Sequence, residues 1–255
     1  MDRSIAGRPN YGNWVSMKFI YVPGTASLLF LALALAFHWL FIIAAALCAL
    51  IAAYFAYARY RFSPAGGNLQ AEIQKLVLAY LDWDGNGQAL DIDCGNAPLS
   101  IRLAQKCPQA RVTGIDFWGG MWEYSKSVCE KNAEIEGVAD RVIFRKASAS
   151  ALPFGDGKFD AAVSNLVFHE VSDTPDKREV IREALRVVKP GGRFAFQDLF
   201  LINRMYGTID DLLAAIKCWG ITKVEFVRTC DAAFIPPALK LPFMVGTIGI
   251  LYGEK

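Results

Sequence analysis

The stretch Leu90-Asp91-Ile92-Asp93-Cys94-Gly95-Asn96-Ala97-Pro98 joins a short apolar segment to a turn of small and polar residues. Proline is well suited to the first turn of a helix, so the stretch predicts a strand that turns directly into a helix. In α/β folds a ligand lies outside the carboxyl ends of the strands, where N–H groups at a helix start can bind a negatively charged group. Gly95 permits a close approach to the backbone. We therefore expect a ligand site at this turn.

A second predicted strand also ends in an acid. Val112-Thr113-Gly114-Ile115-Asp116 follows the glycine turn, and a carboxylate roughly 20 residues after such a turn is placed to accept hydrogen bonds from a ribose diol. A glycine turn followed by an acid is shared by nicotinamide-binding and adenosyl-binding folds. These two signals therefore leave both types of cofactor open.

Short apolar runs alternate with helix-like stretches along the chain. The runs are Ala89–Ile92, Arg111–Ile115, Val142–Phe144, Ala161–Val163, Arg193–Phe196 and Lys223–Val227, and the helical stretches include Leu99–Gln105, Trp122–Glu136 and Lys177–Val188. This alternation indicates an α/β protein with a parallel sheet covered on both faces. A last run, Thr247–Tyr252, is entered through a Pro-containing stretch without a helix. We expect this final strand to be antiparallel.

The charged residues divide the chain into two parts. Of 255 residues, 27 are Lys or Arg and 25 are Asp or Glu, yet none of these lies between Phe19 and Ala58. The remainder approaches the charged fraction of an ordinary soluble domain, about 25%. The composition therefore excludes a disordered chain, a disulfide miniprotein and a polytopic transporter. A net charge of +2 without long runs of like charge gives no indication of a nucleic-acid partner.

The uncharged block is too long for a signal peptide, and two membrane spans fit its length better than one. As one helix it would reach roughly 60 Å, against a hydrocarbon core of roughly 30 Å. We expect a transmembrane helical hairpin with legs of about Phe19–Phe37 and Leu40–Ala58, joined at His38-Trp39. A single long tilted span is the alternative. A hairpin would place all the nearby positive charges on one side of the membrane, as the positive-inside rule prefers. These charges are Arg3, Arg8, Lys18, Arg59 and Arg61.

Four segments are predicted from these patterns. Residues 1–18 form an N-terminal segment, residues 19–61 the hairpin, residues 62–88 a linker with an amphipathic helix, and residues 89–255 the ligand-binding domain. Apolar residues from Leu69 to Leu81 recur at helical period. The six cysteines show no Cys-x-x-Cys spacing and no neighbouring histidine, so we expect reduced thiols and no metal site.

Four motifs resemble those of class I S-adenosylmethionine-dependent methyltransferases. Leu90–Ala97 is similar to the family's cofactor loop, Val112–Asp116 to its ribose-binding strand, Ala151–Asp160 to the turn before its fourth strand, and Glu183–Arg193 to the segment leading into its fifth. The resemblance implies a Rossmann-like, doubly wound sheet of seven strands with a reversed last strand, preceded here by the hairpin. A reversed last strand is not expected of a nicotinamide-binding domain.

The resemblance also implies S-adenosyl-L-methionine as the cofactor and a set of residues that bind it. The family's Gly-x-Gly-x-Gly positions are Asp93, Gly95 and Ala97 here, and Ser148 replaces the acid that usually meets the adenine amino group. Asp116 would hold the ribose. The other implied cofactor contacts are Asp91, Asp93, Gly95 and Asn96 at the methionine end, Phe117, Ser148 and Ala149 around the adenine, and Asn165 after the fourth strand.

His169 is the first candidate for catalysis. It follows the predicted fourth strand, lies beside Glu170, and is the only histidine outside the uncharged block. An imidazole with its ordinary pKa of about 6.5 can take a proton from a thiol, hydroxyl or amine near neutral pH. The alternative is that His169 packs against or caps the next helix. Asn165 and Glu170 are the other catalytic candidates.

Two further features bear on the acceptor. Residues 117–124 hold a Phe, two Trp and a Tyr, which form either an aromatic lid or ordinary core packing with a membrane-facing surface. Ile202–Tyr206 and Ile235–Phe243 lie where this family varies its acceptor pocket.

We expect a membrane-anchored methyltransferase with a cytosolic catalytic domain, in contact with membrane lipids and acting on a small apolar or amphipathic acceptor. The alternative is a membrane-tethered cofactor-binding or scaffold module with a degenerate methyltransferase fold.

Overall fold

The computed structural model describes residues 7–119 and 124–255. The described chain forms two compact units, one of residues 12–72 and the other of residues 7–11 together with 73–255. The first unit contains helices α1 (Lys18–Ala36) and α2 (Phe41–Phe62) and the beginning of α3 (Leu69–Tyr80). The second unit holds a seven-stranded sheet and the remaining helices.

Helices α1 and α2 form an antiparallel hairpin. The ring of Phe19 stacks on that of Phe55 with centroids 5.0 Å apart, and the hydroxyl of Ser27 donates to the carbonyl of Ala45 at 2.8 Å. The helices are separated by residues 37–40, so the predicted break at His38-Trp39 is confirmed. Both helices are long and apolar enough to cross a membrane by length and composition.

The two ends of the hairpin are tied together within the same unit. The side-chain amide of Asn13 donates to the carbonyl of Arg59 at 3.1 Å, and the Arg59 guanidinium donates to the carbonyl of Val15 at 2.5 Å. The ring of Trp14 lies 5.6 Å from that of Phe62. The segment that enters α1 is therefore bound to the segment that leaves α2.

The sheet has the strand order β3-β2-β1-β4-β5-β7-β6, in which β7 is antiparallel to both of its neighbours. The strands are β1 (Gly87–Ile92), β2 (Ala110–Asp116), β3 (Val142–Lys146), β4 (Phe159–Asn165), β5 (Val188–Asp198), β6 (Lys223–Arg228) and β7 (Gly249–Glu254). The remaining helices are α4 (Pro98–Lys106), α5 (Lys126–Ile135), α6 (Lys177–Arg186), α7 (Asn203–Tyr206) and α8 (Ile209–Cys218). The predicted α/β fold with a reversed last strand is confirmed.

The order of strands fixes the position of the site. Strands β1, β2, β4 and β5 are parallel, and β1 lies between β2 and β4. Their carboxyl ends therefore meet at one edge of the sheet, which we call the site edge. Apolar side chains fill both faces of the sheet below this edge.

Two strands run further toward the site edge than their apolar runs predict. Strand β4 continues to Asn165 and β5 to Asp198, and these extensions stay paired, because Asn165 lies in register with Gln197. The N–H of Leu166 then donates to the Gln197 carbonyl at 2.8 Å. Polar residues thus end both strands within the ladder. The predicted helix Trp122–Glu136 is described from Lys126 to Ile135, and its first two residues lie outside the described range.

Candidate active site

The turn after β1 has three left-handed residues at alternate positions. Asp93, Gly95 and Ala97 have φ values of 56°, 59° and 65°. A non-glycine residue in this conformation costs roughly 1–2 kcal/mol, so Asp93 and Ala97 are held there by their surroundings. The N–H of Cys94 donates to the Ile115 carbonyl at 2.8 Å. The loop therefore has a left-handed backbone at all three positions, although only one of them is glycine.

Asp116 lies at the end of β2 and is bound to this loop. Its Oδ2 accepts the N–H of Gly95 at 2.8 Å, and its Oδ1 accepts the N–H of Trp118 at 2.6 Å. The two oxygens of a carboxylate offer about four acceptor sites. Asp116 therefore holds the loop and still has the capacity to accept from a diol.

Asp91 lies behind the loop. It is 1% exposed, and its Oδ2 accepts the hydroxyl of Ser100 at 2.5 Å. Burial raises the pKa of Asp91 to about 7, although its hydrogen bonds from Ser100 act in the opposite direction. The structure therefore uses this predicted cofactor contact to fasten α4 to β1.

Asp93 replaces a family glycine and stands among other acids. Its side chain is half-buried. Burial, together with the neighbouring acids Asp116, Glu170 and Asp91, raises the pKa of Asp93 to about 8. This position of the loop therefore disfavours a negative charge.

Three side chains donate hydrogen bonds to backbone carbonyls of the loop, one from Trp118 after β2 and two from α5. The carbonyl of Gly95 accepts the indole N–H of Trp118 at 3.1 Å and the thiol of Cys129 at 3.0 Å. Asn96 is buried, and its carbonyl accepts the Asn132 amide at 3.0 Å. The predicted aromatic stretch thus contributes Trp118 directly to the loop, while its residues 120–123 lie outside the described range.

Asn165 ends β4 at the site edge. In the described ranges its Oδ1 is buried and has no hydrogen-bond partner. The next residue, Leu166, has a φ of 61°, an uncommon value for a branched side chain. Buried polar atoms without a partner are rare, and strained backbone is concentrated at functional sites. Asn165 therefore has the features of a ligand contact.

His169 is paired with Asp198, an acid that is not among the predicted site residues. Its Nδ1 lies 2.7 Å from Oδ1 of Asp198, and its Nε2 lies 3.8 Å from a carboxylate oxygen of Glu170. Burial alone would lower the pKa of His169, but the hydrogen bond and charge of Asp198, with the charge of Glu170, raise it above its usual value. The structure therefore joins the imidazole to β5.

Asp198 is fully buried and well supplied with donors. Its Oδ2 accepts the N–H of Val167 at 3.0 Å and that of His169 at 3.4 Å, and its Oδ1 accepts the N–H of Leu199 at 2.6 Å. The fully buried Tyr206 stands beside it, and burial together with the charge of Asp198 raises the pKa of Tyr206. The signal for Asp198 was an acid directly after an apolar strand, the same signal that identified Asp116.

The residues predicted to meet the adenine lie further along the edge. Phe117 is 57% exposed, with Nζ of Lys146 4.8 Å from its ring centroid, and Ala149 is buried. The Ser148 hydroxyl lies 3.5 Å from Oδ2 of Asp173. Ser150 donates to the same oxygen at 2.6 Å. Asp173 therefore brings a carboxylate close to Ser148, the residue predicted to replace the family's acid.

This set of groups fits an adenosyl amino acid. Asp116 has acceptor capacity left for a ribose diol, and Oδ1 of Asn165 is an unpaired acceptor in the described part of the chain. The charges acting on Asp93 come from the carboxylates of Asp116, Glu170 and Asp91. A negative site of this kind favours a ligand with ammonium and sulfonium groups.

Comparison with known proteins identifies the family. Residues 90–196 match the methyltransferase domain family. The chain is 38% identical over 113 residues to 27-O-demethylrifamycin SV methyltransferase of Amycolatopsis mediterranei, across 44% of this chain and 39% of that protein. It is 32% identical over 209 residues to the ubiquinone/menaquinone biosynthesis C-methyltransferase UbiE of Desulfotalea psychrophila, across 71% of this chain and 79% of that protein. The chain spans only about half the length of several curated relatives: the rifamycin methyltransferase is matched over 39% of its length, and two others over 52% and 48%.

A solved structure shares the fold. Geranyl diphosphate methyltransferase in complex with S-adenosylmethionine superposes with a TM-score of 0.56 at 15% identity, over 78% of this chain and 89% of that one. The predicted fold, family and family cofactor, S-adenosylmethionine, are confirmed. The chain belongs to the class I S-adenosylmethionine-dependent methyltransferases.

Proposed function

We propose that this protein is a membrane-associated methyltransferase that acts on a small lipophilic acceptor, with His169 as general base. The observation that carries the proposal is the 2.7 Å contact between Nδ1 of His169 and the buried Asp198, beside the cofactor loop. A histidine that merely caps a helix does not need a fully buried carboxylate behind its ring.

The pairing sets the tautomer of the imidazole. Asp198 accepts a hydrogen bond from Nδ1, so in the neutral ring Nδ1 carries the proton and Nε2 is the free base. Nε2 is on the side of the ring away from Asp198. It takes the proton from the hydroxyl, thiol or amine of the acceptor, and the carboxylate stabilises the resulting imidazolium.

S-adenosylmethionine supplies an activated methyl group when it is bound. The protein's task is then to align the acceptor and exclude water. Asp116 would hold the ribose hydroxyls, Asn165 the amino-acid end, and Asp173 the adenine amino group. Trp118 holds the glycine turn through its indole N–H.

The acceptor is proposed to be apolar because of the chain's relatives and its own helices. Relatives of this chain are named for quinone biosynthesis and for a rifamycin methylation. The hairpin offers a route by which such molecules would concentrate near the enzyme, because an acceptor dissolved in lipid shares the membrane with a tethered protein.

Membrane association is supported by exposed apolar side chains on the hairpin. Leu35 is 85% exposed and Leu50 is 67% exposed, whereas a soluble protein rarely leaves so large an apolar surface uncovered. Helix α1 has 19 residues, which at about 1.5 Å each approaches the roughly 30 Å of a hydrocarbon core. Two spans would return the chain to one side, with Lys18, Arg59 and Arg61 there. We propose that this side is the cytosol.

The test uses the full chain in lipid nanodiscs. It is incubated with S-adenosylmethionine tritiated in its methyl group and with an organic extract of membranes, and the label in the organic phase is counted. His169→Ala should lower the transfer about 10²–10⁴-fold. The chain has two histidines, so His38→Ala is the matched control and should transfer label normally.

The same assay separates the enzyme from a binding module. Equal transfer of the label by the native protein and by His169→Ala would exclude His169 as the general base. Binding of the cofactor without transfer to any extract or to small lipophilic phenols and thiols would instead favour the cofactor-binding module. The carboxylate at the first glycine position of the loop, Asp93, is the feature that favours this second candidate.

A further inference from the structure

The unit that holds the sheet exposes large apolar side chains mainly at the site edge. Within the described part of this unit, five large apolar residues are more than a third exposed, namely Phe117, Ile143, Phe234, Leu241 and Phe243. Phe117 directly follows β2, and the last three lie between β6 and β7. Ile143 lies near the start of β3. Exposed apolar surface is therefore concentrated at the edge where the candidate active site lies.

Residues 229–248, which we call the β6–β7 segment, are held at the site edge. Gly249, the first residue of β7, lies in register with Asp198 at the end of β5. The N–H of Leu201, after β5, donates to the Thr247 carbonyl at 3.1 Å. Three apolar side chains of the segment are buried, those of Ile235, Leu239 and Val245. The segment is therefore packed into the fold, although it also carries exposed apolar side chains.

The part of the segment that carries Leu241 and Phe243 is a tight turn. The carbonyl of Leu241 accepts the N–H of Met244 at 2.9 Å and that of Gly246 at 3.0 Å. A Cβ on Gly246 would lie 2.4 Å from the carbonyl oxygen of Lys240, so this packing requires glycine. Leu241 is 39% exposed and Phe243 64% exposed on this turn. Their exposure is therefore built into the fold.

The composition of the turn indicates lipid rather than protein as its partner. Residues 234–246 carry one charged or hydrogen-bonding side chain, that of Lys240. A protein interface has an apolar core but also a polar rim with several hydrogen bonds. A lysine among apolar residues suits the headgroup region, because its long side chain reaches the lipid phosphates. The chain also has two helices long and apolar enough to cross a membrane, and these would keep a bilayer at high effective concentration.

We propose that the β6–β7 segment is a second membrane contact of this protein. Leu241 and Phe243 enter the boundary between lipid headgroups and acyl chains, and the Lys240 ammonium group reaches the lipid phosphates. Removal of the two apolar side chains from water drives the insertion. This inference rests on the proposed membrane association and adds to it the surface by which the methyltransferase unit touches lipid. An acceptor dissolved in the bilayer then reaches the site edge without crossing bulk water.

The experiment measures contact between position 241 and lipid in the full chain, reconstituted in nanodiscs of phosphatidylcholine and phosphatidylglycerol. Cys48 and Cys218 are replaced by alanine, because the other four cysteines are buried. Leu241→Cys is then labelled with an environment-sensitive fluorophore, and its emission is compared with and without nitroxide groups on the lipids. The nitroxide lipids should quench most of the emission. Ile143→Cys, at a position 51% exposed, is the matched control and should stay unquenched.

A second substitution tests the insertion itself. Phe243→Glu, made in the labelled Leu241→Cys protein, should abolish the quenching, because a carboxylate at this position opposes entry into the apolar layer. Ile143→Glu replaces an equally exposed class of side chain on β3 and should leave the quenching unchanged. Quenching that persists in Phe243→Glu would overturn insertion through these two side chains.

The other outcomes separate this inference from the function on which it rests. An unquenched label at position 241, in nanodiscs that retain the protein and show methyl transfer, would overturn the contact and leave the membrane-associated methyltransferase in place. A blue-shifted emission that nitroxide lipids do not quench would mean that protein covers the turn, and would also overturn the contact. A native protein that alkali extracts from membranes would remove the proposed membrane association and this inference with it.

Discussion

The substitution Asp198→Asn removes one negative charge from the proposed base pair while keeping the size of the side chain. Each carboxylate oxygen now accepts two hydrogen bonds, Oδ2 from the N–H groups of Val167 and His169, and Oδ1 from the N–H of Leu199 and the Nδ1 of His169. An amide has one acceptor oxygen. In either orientation of the Asn, its NH₂ group therefore faces at least one backbone donor.

The two orientations differ in cost. An NH₂ group in place of Oδ2 leaves two backbone N–H groups without an acceptor, whereas one in place of Oδ1 leaves only that of Leu199. Each buried group left unsatisfied costs about 1–3 kcal/mol, so the second orientation is adopted. The free energy of unfolding should fall by about 1–3 kcal/mol, a loss that leaves a typical domain folded.

The same orientation disables the base. The Asn NH₂ group now donates to Nδ1 of His169, which moves the imidazole proton to Nε2, where it blocks uptake from the acceptor. The maximal rate should fall about 10²–10⁴-fold. The neutral ring is the active form, so activity is lost as pH falls through the His169 pKa, which Asp198 raises. Without that charge the acidic limb of the pH profile should move to lower pH.

The assay measures initial rates of label transfer against pH, alongside unfolding in denaturant. Asp210→Asn, an exposed acid on α8, is the control. Partial unfolding lowers the rate at every pH but leaves the acidic limb in place. A folded Asp198→Asn protein with native rate and an unmoved limb would refute the proposed pairing of His169 and Asp198.

Three further substitutions test the loop, the adenine end and the hairpin. Ala97→Gly relieves roughly 1–2 kcal/mol of left-handed strain. It also loses a buried methyl group worth about 0.8 kcal/mol and adds unfolded-state entropy worth about 0.4–1 kcal/mol. The free energy of unfolding, measured in denaturant, should therefore change by less than about 1 kcal/mol. Asp173→Asn should weaken S-adenosylhomocysteine binding about 5- to 20-fold in calorimetry, as loss of a charge-assisted hydrogen bond predicts; an unchanged affinity would exclude Asp173 from the adenine site. Leu28→Lys places a charge within α1, and inserting that charge into a bilayer costs about 2.5–3.5 kcal/mol. The variant should therefore be extracted from membranes by alkali. The control Ile143→Lys, on β3, should stay in the membrane fraction.

The sequence predicted the features that depend on neighbouring residues. The turn after β1 was recognisable because an apolar strand, Gly95 and Pro98 follow one another directly. The hairpin was recognisable because the uncharged block is longer than one span, with a polar and an aromatic residue at its centre. Local propensity and length decide such elements, so no tertiary contact was needed to predict them.

The pairing of His169 with Asp198 was not predicted because it depends on strand order. The two residues are 29 positions apart and meet only because β4 and β5 are neighbours and both extend past their apolar runs. The strand predictions ended at Val163 and Phe196 and so excluded the polar residues at the site edge. Leu166, which leads to His169, has a left-handed backbone. A branched apolar residue does not predict that conformation from the sequence.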